Sequence, residues 1–451
     1  MSTFILKIYN KLFILYLKYD KILWKKEGRS MKVGICSLGC KVNIYESELV
    51  TNILKNNNYE IVDFEDKADI YIINTCSVTN ESDKKSRKMI NRAKKNNPSA
   101  IIVVMGCYSQ VNADDIDVDI VLGNKDKSRI VEIIEDYIET KEKKKIIYDL
   151  SKVDFEKMEI SSFDSHTRAF VKIQDGCNAF CSYCIIPYTR GRVRSKNKDD
   201  VIREVTKLVN EGYKEIVLTG IHTGRYGIDI NSSLEELLNE LVMIPNIYRI
   251  RLSSIEINEI TPGIRNLLKN NKVMAKHLHV PLQSGSDKIL KLMNRRYNTS
   301  EFLSMVDSLR DIEDISLTTD LIVGFPKESD DDFNDTMNTL RKIGFTKIHT
   351  FPYSRRKGTV ADKMDGHIDG TTKKRRVHEV LALSNEYENK FYNSKIGKVY
   401  DGVVEIHDNG LVVVHTSNFI PVIINDNVEN NSIVNVMIEK VEGLNVYGRV
   451  V

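Results

Sequence analysis

The sequence of 451 residues predicts a multidomain α/β protein. It reads as an N-terminal parallel α/β sheet domain, a central (β/α) partial barrel and a small all-β barrel at the C-terminus. Three observations carry this expectation. Short apolar strands alternate with helices from Met31 to about residue 145, which implies a parallel sheet covered on both faces. A second alternating series, of roughly six β/α units, follows it and suggests a partial barrel with its chemistry at the carboxyl ends of the strands. After residue 393 the pattern becomes short alternating strands with Gly and Asn turns, the signature of a five-stranded oligonucleotide-binding type of barrel. The length suits two to four domains of about 100–200 residues each. The expected boundaries are 31–145, a linker over 146–165, 166–392 and 393–451, preceded by an extension over 1–30.

In the first series, Lys32–Ser37 reads as a strand and Ser47–Asn56 as a helix. Strands follow at Asp69–Asn74, Ala100–Met105 and Asp119–Leu122, with a charged helix around Glu81–Lys95. The lysine-rich Thr140–Lys145 and the polar run to His166 read as the linker. In the second series the strands are Ala169–Gln174, Glu215–Leu218, Arg249–Leu252, His277–Val280, Ser316–Val323 and Lys347–Pro352. Helices between them include Asp199–Glu211, Ser233–Met243 and Thr299–Leu309, and a longer one spans Thr372–Asn393.

The N-terminal extension holds seven Lys/Arg against two Asp/Glu, so the net charge of +3 becomes −2 from Met31 onward. Overall charge therefore argues nothing about nucleic acid. The extension's longest apolar run, Leu12–Leu17, is too short to cross a bilayer and lacks the features of a signal peptide. Met31 opens a strand, and Lys26-Glu27-Gly28-Arg29 can be encoded by purine-rich codons of the kind that precede a start site. Residues 1–30 are thus expected to lie outside the working protein, with no membrane association. Seven cysteines are too few for a disulfide scaffold, and their odd count argues against full pairing, which points to the reducing cytoplasm.

Six of those cysteines form two trios. Cys177, Cys181 and Cys184 stand as CxxxCxxC just after the first strand of the second series. Three thiolates leave one iron of a cubane cluster open to a chelating substrate, whereas zinc sites pair such a run with a distant second half that is absent here. Cys40, Cys76 and Cys107 each closely follow a strand of the first series, as Gly39-Cys40, Thr75-Cys76 and Gly106-Cys107. Neighbouring strands of an open parallel sheet end in one crevice, so these thiols can converge although 36 and 31 residues separate them. Gly39 and Gly106 would let the backbone bend around a bulky group. The alternative for this trio is three small buried packing residues. Cys36 lies inside a strand and reads as a packing residue.

The two trios, in this order and with these flanks, resemble the radical S-adenosylmethionine methylthiotransferases from Met31 to Val451. The resemblance implies an N-terminal methylthiotransferase domain, a radical S-adenosylmethionine domain and a C-terminal TRAM domain. It implies two [4Fe–4S] clusters, one on each trio. S-adenosylmethionine would serve as both methyl donor and source of a 5′-deoxyadenosyl radical that removes hydrogen from an unactivated C–H bond, the difficult step falling to the cofactor. The implied partners are a tRNA anticodon loop, an electron donor such as flavodoxin or ferredoxin, and a sulfur source. Within the family, Ser37-Leu-Gly-Cys-Lys-Val-Asn43 and Asn74-Thr-Cys-Ser-Val-Thr-Asn80 look most like the branch acting on N6-threonylcarbamoyladenosine at tRNA position 37, as does His349-Thr-Phe-Pro-Tyr-Ser354. Action on isopentenyladenosine 37 or ribosomal protein S12, or a non-catalytic cluster-bearing RNA-binding protein, are the alternatives.

The same resemblance nominates cofactor contacts. Tyr183 resembles the aromatic whose backbone meets the adenine, or packs on its loop. Thr219-Gly220 occupies the place where the backbone turns toward the methionine amino group. Ser254, Glu256 and Gln283 follow later barrel strands and would bind ribose hydroxyls or that amino group, or cap strand ends. Asp320 opens the stretch to Pro326 that would pack under the adenine, with Gly324 allowing close backbone approach. Phosphates dominate RNA affinity, so Arg190, Arg192 and Arg194, expected along one side of an extended segment, and Arg355-Arg356 are candidate RNA contacts. The C-terminal barrel carries four Lys/Arg against seven Asp/Glu, so RNA contact there would need local spots such as Lys395, Lys398 and Arg449, or stacking by Tyr400 and Phe419.

Overall fold

A computed structural model describes residues 30–160, 167–407 and 410–451 of the chain. The expectations for residues 1–29, and for 161–166 of the linker, fall outside the described residues. The chain forms two compact units, the first containing residues up to Ile160 together with Tyr188–Gly191, the second containing the rest.

The first unit is built on a six-stranded parallel sheet in the order β2-β1-β3-β4-β5-β6, formed by β1 (Lys32–Ser37), β2 (Glu60–Val62), β3 (Ile70–Thr75), β4 (Ile101–Gly106), β5 (Ile120–Leu122) and β6 (Lys144–Ile146). β3 and β4 are buried along their whole length, which is why they read as continuous apolar runs without alternation. On one face Ile72, Val103 and Met105 pack with Val50, Leu54, Ile130 and Ile134 of two helices. On the other, Tyr71, Ile73, Ile102 and Val104 pack with Ile90 and Ala93 of a third. The edge strands β2 and β6 escape the sequence pattern because each is three residues long, and β6 carries the lysines suited to an exposed edge. The first helix spans Lys41–Asn56 and starts six residues earlier than expected, because its first turns bury the polar Asn43 and Glu46 alongside Val42 and Tyr45, which blurs the apolar pattern. The expected linker is not a free tether. Leu150, Met158 and Ile160 are buried, and the Met158 carbonyl accepts from the Tyr45 hydroxyl at 3.2 Å.

In the second unit, β7 (Arg168–Lys172), β10 (Glu215–Thr219) and β11 (Arg249–Leu252) form one parallel sheet, and β12 (His277–His279), β13 (Ser316–Val323) and β14 (Lys347–Pro352) form another. Bridges at Ile250–Met274 and Ser254–His279 join them into an arc of six parallel strands. Between β7 and β10, β8 (Gln174–Asp175) and β9 (Arg194–Ser195) make a short antiparallel pair that brackets the CxxxCxxC loop. The intervening helices start on oxygen-bearing caps, with reciprocal capping boxes at Asn298/Glu301 and Ser329/Asp332. Each buries an apolar stripe, as with Val201, Val205 and Leu208 of Lys198–Asn210.

A 24-residue helix, Gly370–Asn393, leads into a closed barrel of β15 (Val399–Ile406), β16 (Val412–Thr416), β17 (Pro421–Ile424), β18 (Ile433–Glu442) and β19 (Asn445–Val450). The barrel core is Val404, Val414, Ile420, Val422, Val436 and Ile438, with Tyr392 of the helix closing one end. The barrel is clamped to the strand arc through buried Arg249 and Arg251. Both bind Glu215, while Arg249 donates to the His415 carbonyl and Arg251 to the carbonyls of Thr416 and Ser417. Among the described residues no helix is long and apolar enough to cross a membrane.

Candidate functional site

The N-terminal trio gathers where β1, β3 and β4 end. Cys40 caps the Lys41–Asn56 helix from extended backbone without using its side chain for the cap. Cys76 follows β3, and Cys107 opens the short Cys107–Asn112 helix. Gly39 and Gly106 have φ of 99° and 104°, a region that other residues enter only with strain. A Cβ on Gly39 would stand 2.7 Å from the Cys76 sulfur, so glycine is what admits this thiol to the crevice. The Cys76 thiol is pushed up to about 11, first by burial and then by the neighbouring Cys107 and, further, Cys40 thiolates. Asn43 holds the rim together, donating to the Leu38 carbonyl at 2.6 Å and the Thr75 carbonyl at 3.1 Å. Cys36, opposite Ile73 in the sheet, packs against the apolar cluster on that face, in keeping with its position in a strand.

The second trio stands on a loop at the mouth of the strand arc. Gly176 (φ 70°) and Phe180 (φ 50°) turn the backbone through left-handed positions, and the Cys184 amide donates to the Cys181 carbonyl at 2.9 Å. Burial and the neighbouring Cys181 raise the Cys184 thiol to about 12. Gln174, buried beneath the loop, donates to the carbonyls of Asp175 and Gly176 and accepts from the His222 amide at 2.7 Å. His222 Nδ1 lies 3.3 Å from the Cys177 sulfur, and its Nε2 stands 2.9 Å from Glu259. Arg225 reaches the same carboxylate at 2.6 Å. Arg295 donates to Cys181 Sγ at 3.5 Å, pairs with Glu256 and bonds the Tyr297 hydroxyl at 2.8 Å. A cavity of about 180 Å³ opens here, bounded by Cys181, His222, Glu256, Glu259, Arg295 and Tyr297. Gln174, His222 and Glu259 were not singled out from the sequence, because none sits in a spaced motif; their roles come from loops that converge in three dimensions.

Of the nominated cofactor contacts, Thr219, Gly220, Ser254, Glu256, Gln283 and Gly324 end or follow strands of this arc, whereas Tyr183 stands on the cysteine loop and Asp320 lies within β13. Thr219 ends β10, and a Cβ on Gly220 would meet Gln174 at 3.0 Å. Tyr183 stands edge-on to Phe325 with ring centroids 6.5 Å apart. Ser254 is exposed and bridges to His279. Gln283 adopts φ 65° and its amide donates to the Asp320 carbonyl at 2.9 Å, while the Asp320 carboxylate lies 3.3 Å from His279. Two differ from expectation in their surroundings. Glu256 is engaged by Arg295, and the neighbour that closely approaches Gly324 is the Lys373 side chain, 2.3 Å from where a Cβ would be.

The expected basic clusters are largely spent inside the protein. Arg190, Arg192 and Arg194 do not line one side of an extended segment: Arg190 ends the Ile186–Arg190 helix, Gly191 turns at φ 70°, and Arg194 enters β9. Arg190 is fully buried on Glu46, and Arg194 is buried at 3.6 Å from Asp175. Arg356 is buried too, while Arg355 is exposed but paired with Asp362 and Arg192 is exposed. In the barrel, Lys395, Lys398 and Tyr400 converge on Asp314, and Arg251 lies 4.6 Å from the Phe419 ring centre. These contacts bury Lys395 and hold Tyr400 on Asp314, whereas Lys398 and Phe419 keep exposed surface.

Both trios suit a polynuclear iron–sulfur group. Each supplies three thiols and no fourth, and Gly39 keeps space clear at the first. Among the described residues no group of three His, Cys, Asp or Glu is drawn together tightly enough for a single metal ion. A cubane gives each thiolate its own iron and so needs wider spacing. Ligation displaces the thiol protons that burial otherwise retains.

Residues 32–123 match the uncharacterized protein family UPF0004, and residues 171–340 match the radical SAM superfamily. The chain is 40% identical over 404 residues to the threonylcarbamoyladenosine tRNA methylthiotransferase MtaB of Bacillus subtilis (strain 168), covering 87% of this chain and 90% of that protein. It is 35% identical over 430 residues to a tRNA-2-methylthio-N(6)-dimethylallyladenosine synthase of Thermodesulfovibrio yellowstonii, covering 92% of this chain and 97% of the relative. Among solved structures, the radical S-adenosylmethionine methyltransferase TsrM of Kitasatospora setae, with cobalamin and a [4Fe–4S] cluster bound, shares the fold at a TM-score of 0.54, with 13% identity and 74% of each chain covered. With two converging cysteine trios and this identity over nearly the whole length of its relatives, the chain belongs to the radical S-adenosylmethionine methylthiotransferase family.

Proposed function

We propose that the chain is a tRNA methylthiotransferase that converts N6-threonylcarbamoyladenosine at position 37 of anticodon loops into its 2-methylthio derivative. The observation that carries this reading is 40% identity, across nine-tenths of the relative's length, to an enzyme named for that modified nucleoside. The short motif around Cys40, which looks most like the same branch, supports it. Two [4Fe–4S] clusters and S-adenosylmethionine are the cofactors. Bound at the radical loop, one cluster with S-adenosylmethionine would supply the one-electron cleavage that lets an unactivated C–H bond be replaced.

The chain's own residues prepare that site. Cys177, Cys181 and Cys184 hold one cluster, and Cys40, Cys76 and Cys107 the other. Gln174 fixes the backbone of the radical loop against β10, while His222 and Arg295 stand within hydrogen-bonding reach of two of its sulfurs. Tyr183, Thr219, Gly220, Ser254, Glu256, Gln283 and Gly324, with Asp320 within β13, are the residues that would meet S-adenosylmethionine. The exposed Arg192 and Arg355 are the remaining basic candidates for tRNA phosphates. The reaction calls for an electron donor such as flavodoxin or ferredoxin, a sulfur source and the reducing cytoplasm.

Nucleoside mass spectrometry of tRNA from a deletion strain tests the assignment. The 2-methylthio-N6-threonylcarbamoyl nucleoside should disappear and its unthiolated precursor accumulate. An unchanged level, in a strain with no second enzyme of this type, would overturn the substrate.

A further inference from the structure

A buried ionic group stands against the N-terminal trio, and Arg190 is its centre. Arg190 is fully buried, in the Tyr188–Gly191 segment that belongs to the first unit. Its Nε donates to Cys107 Sγ at 3.3 Å. Its terminal nitrogens fork onto the Glu46 carboxylate at 2.9 and 3.2 Å, and Nη2 also donates to Asn43 Oδ1 at 2.7 Å. The other cation of the group, Lys127, donates to Glu46 and, at 2.9 Å, to Asn124 Oδ1. Asn124 Nδ2 in turn lies 3.5 Å from Cys107 Sγ and donates to the Thr189 carbonyl at 2.8 Å, which holds the backbone beside Arg190 in place.

Arg190 and Lys127 both bind the buried Glu46 carboxylate. A buried ion pair recovers its desolvation cost only with good geometry. The Arg190 guanidinium also faces the trio, where ligating cysteines would be thiolates and a [4Fe–4S] core bound by three of them would be net negative, more so when reduced. Hydrogen bonds to the sulfurs and nearby charge are the levers by which a protein sets a cluster's potential. Arg190 applies both, since its guanidinium points one N–H at a ligand sulfur while Glu46 and Asn43 fix its plane.

We propose that Arg190 is a positioning residue for the N-terminal cluster, its oriented guanidinium holding the Cys107 ligand and favouring the reduced cluster through an N–H···S bond and its positive charge. Glu46 orients the guanidinium and moderates that charge. The proposal rests on the reading of Cys40, Cys76 and Cys107 as cluster ligands.

The test uses the full chain with Cys177, Cys181 and Cys184 all replaced by Ala, so that the N-terminal cluster alone titrates. Iron and acid-labile sulfide are measured first, then the midpoint potential by redox titration followed by electron paramagnetic resonance. Added to that background, Arg190→Gln should move the midpoint to more negative values and Arg190→Lys should restore part of the shift. Glu46→Gln removes the carboxylate that Arg190 binds and should move the midpoint the opposite way, to more positive values. A group that served only to pack the site would move the two variants in the same direction or leave both potentials unchanged, and either result overturns the proposal. If Arg190→Gln loses its iron, the sign of the Glu46→Gln shift decides. A background chain that holds no iron overturns the cluster reading beneath the proposal.

Discussion

Replacing Glu215 with Gln is expected to loosen the C-terminal barrel from the strand arc. Glu215 is fully buried in β10 and accepts from Arg251 at 2.7 and 3.0 Å and from Arg249 at 3.3 Å. Both guanidinium groups, themselves 2% exposed, continue to backbone carbonyls of β16 and the turn after it. Removing one partner of a buried ion pair leaves the other uncompensated and costs about 3–5 kcal/mol. A second route gives a similar size. Burial alone would raise the Glu215 carboxyl, yet Arg251 and then Arg249 hold it at about 2 against an ordinary 4.5. That displacement is worth about 3 kcal/mol. Because the folded value lies below the unfolded one, the stabilisation is complete above about pH 4.5 and drains away as the pH falls toward 2. Amide hydrogen exchange in β15 and β16 at pH 7, corrected for intrinsic rates, should speed up by about two to three orders of magnitude in the variant. The variant should also lose about 2 kcal/mol of the wild type's weakening between pH 7 and pH 3. Protection within about tenfold of wild type at pH 7 would refute the argument that this carboxylate holds the barrel in place.

Other outcomes follow from the sites and the core. Cys40→Ala should lower bound iron by about one cluster while uncoupled reductive cleavage of S-adenosylmethionine persists; equal loss of both clusters, read by iron content and Mössbauer spectroscopy, would contradict independent assembly. Gly39→Ala forces a Cβ against the Cys76 sulfur from a left-handed backbone, so iron at the N-terminal site should fall in a chain that still folds by circular dichroism. Phe302 is wholly buried against Tyr297 and Phe345, and Phe302→Ala should cost the second unit about 3–5 kcal/mol in denaturant unfolding. A loss under about 1 kcal/mol would mean that the neighbours collapse into the cavity.

Much of the architecture was legible because local chemistry and tertiary role coincide. β3 and β4 are apolar throughout since both faces are covered, and Thr299–Leu309 is a helix whose capping Asn298 and Glu301 can be read in the chain. Misreadings cluster where polar residues are buried. The start of the Lys41–Asn56 helix is hidden because Asn43 and Glu46 look like surface residues, and β6 resembles linker because of its lysines. The basic stretches misled for the same reason: an arginine on a buried carboxylate and one facing a phosphate are identical in sequence.

The sequence by itself determined the chemistry of this protein. Spacing and flanks placed three thiols on a loop after one strand and three more at strand ends, and covalent order suffices for that because a CxxxCxxC run is local and parallel strands end on one edge. Only the tertiary structure decided what surrounds those thiols. It gave Arg190 to Cys107 and Glu46, His222 to Cys177, the barrel's Lys395 to Asp314, and Phe419 to Arg251. The physical reason is range. Ligand sets and helix caps are written within a few residues, whereas a buried charge finds its partner across more than a hundred, as Arg190 does with Glu46, and only the folded chain brings the two together.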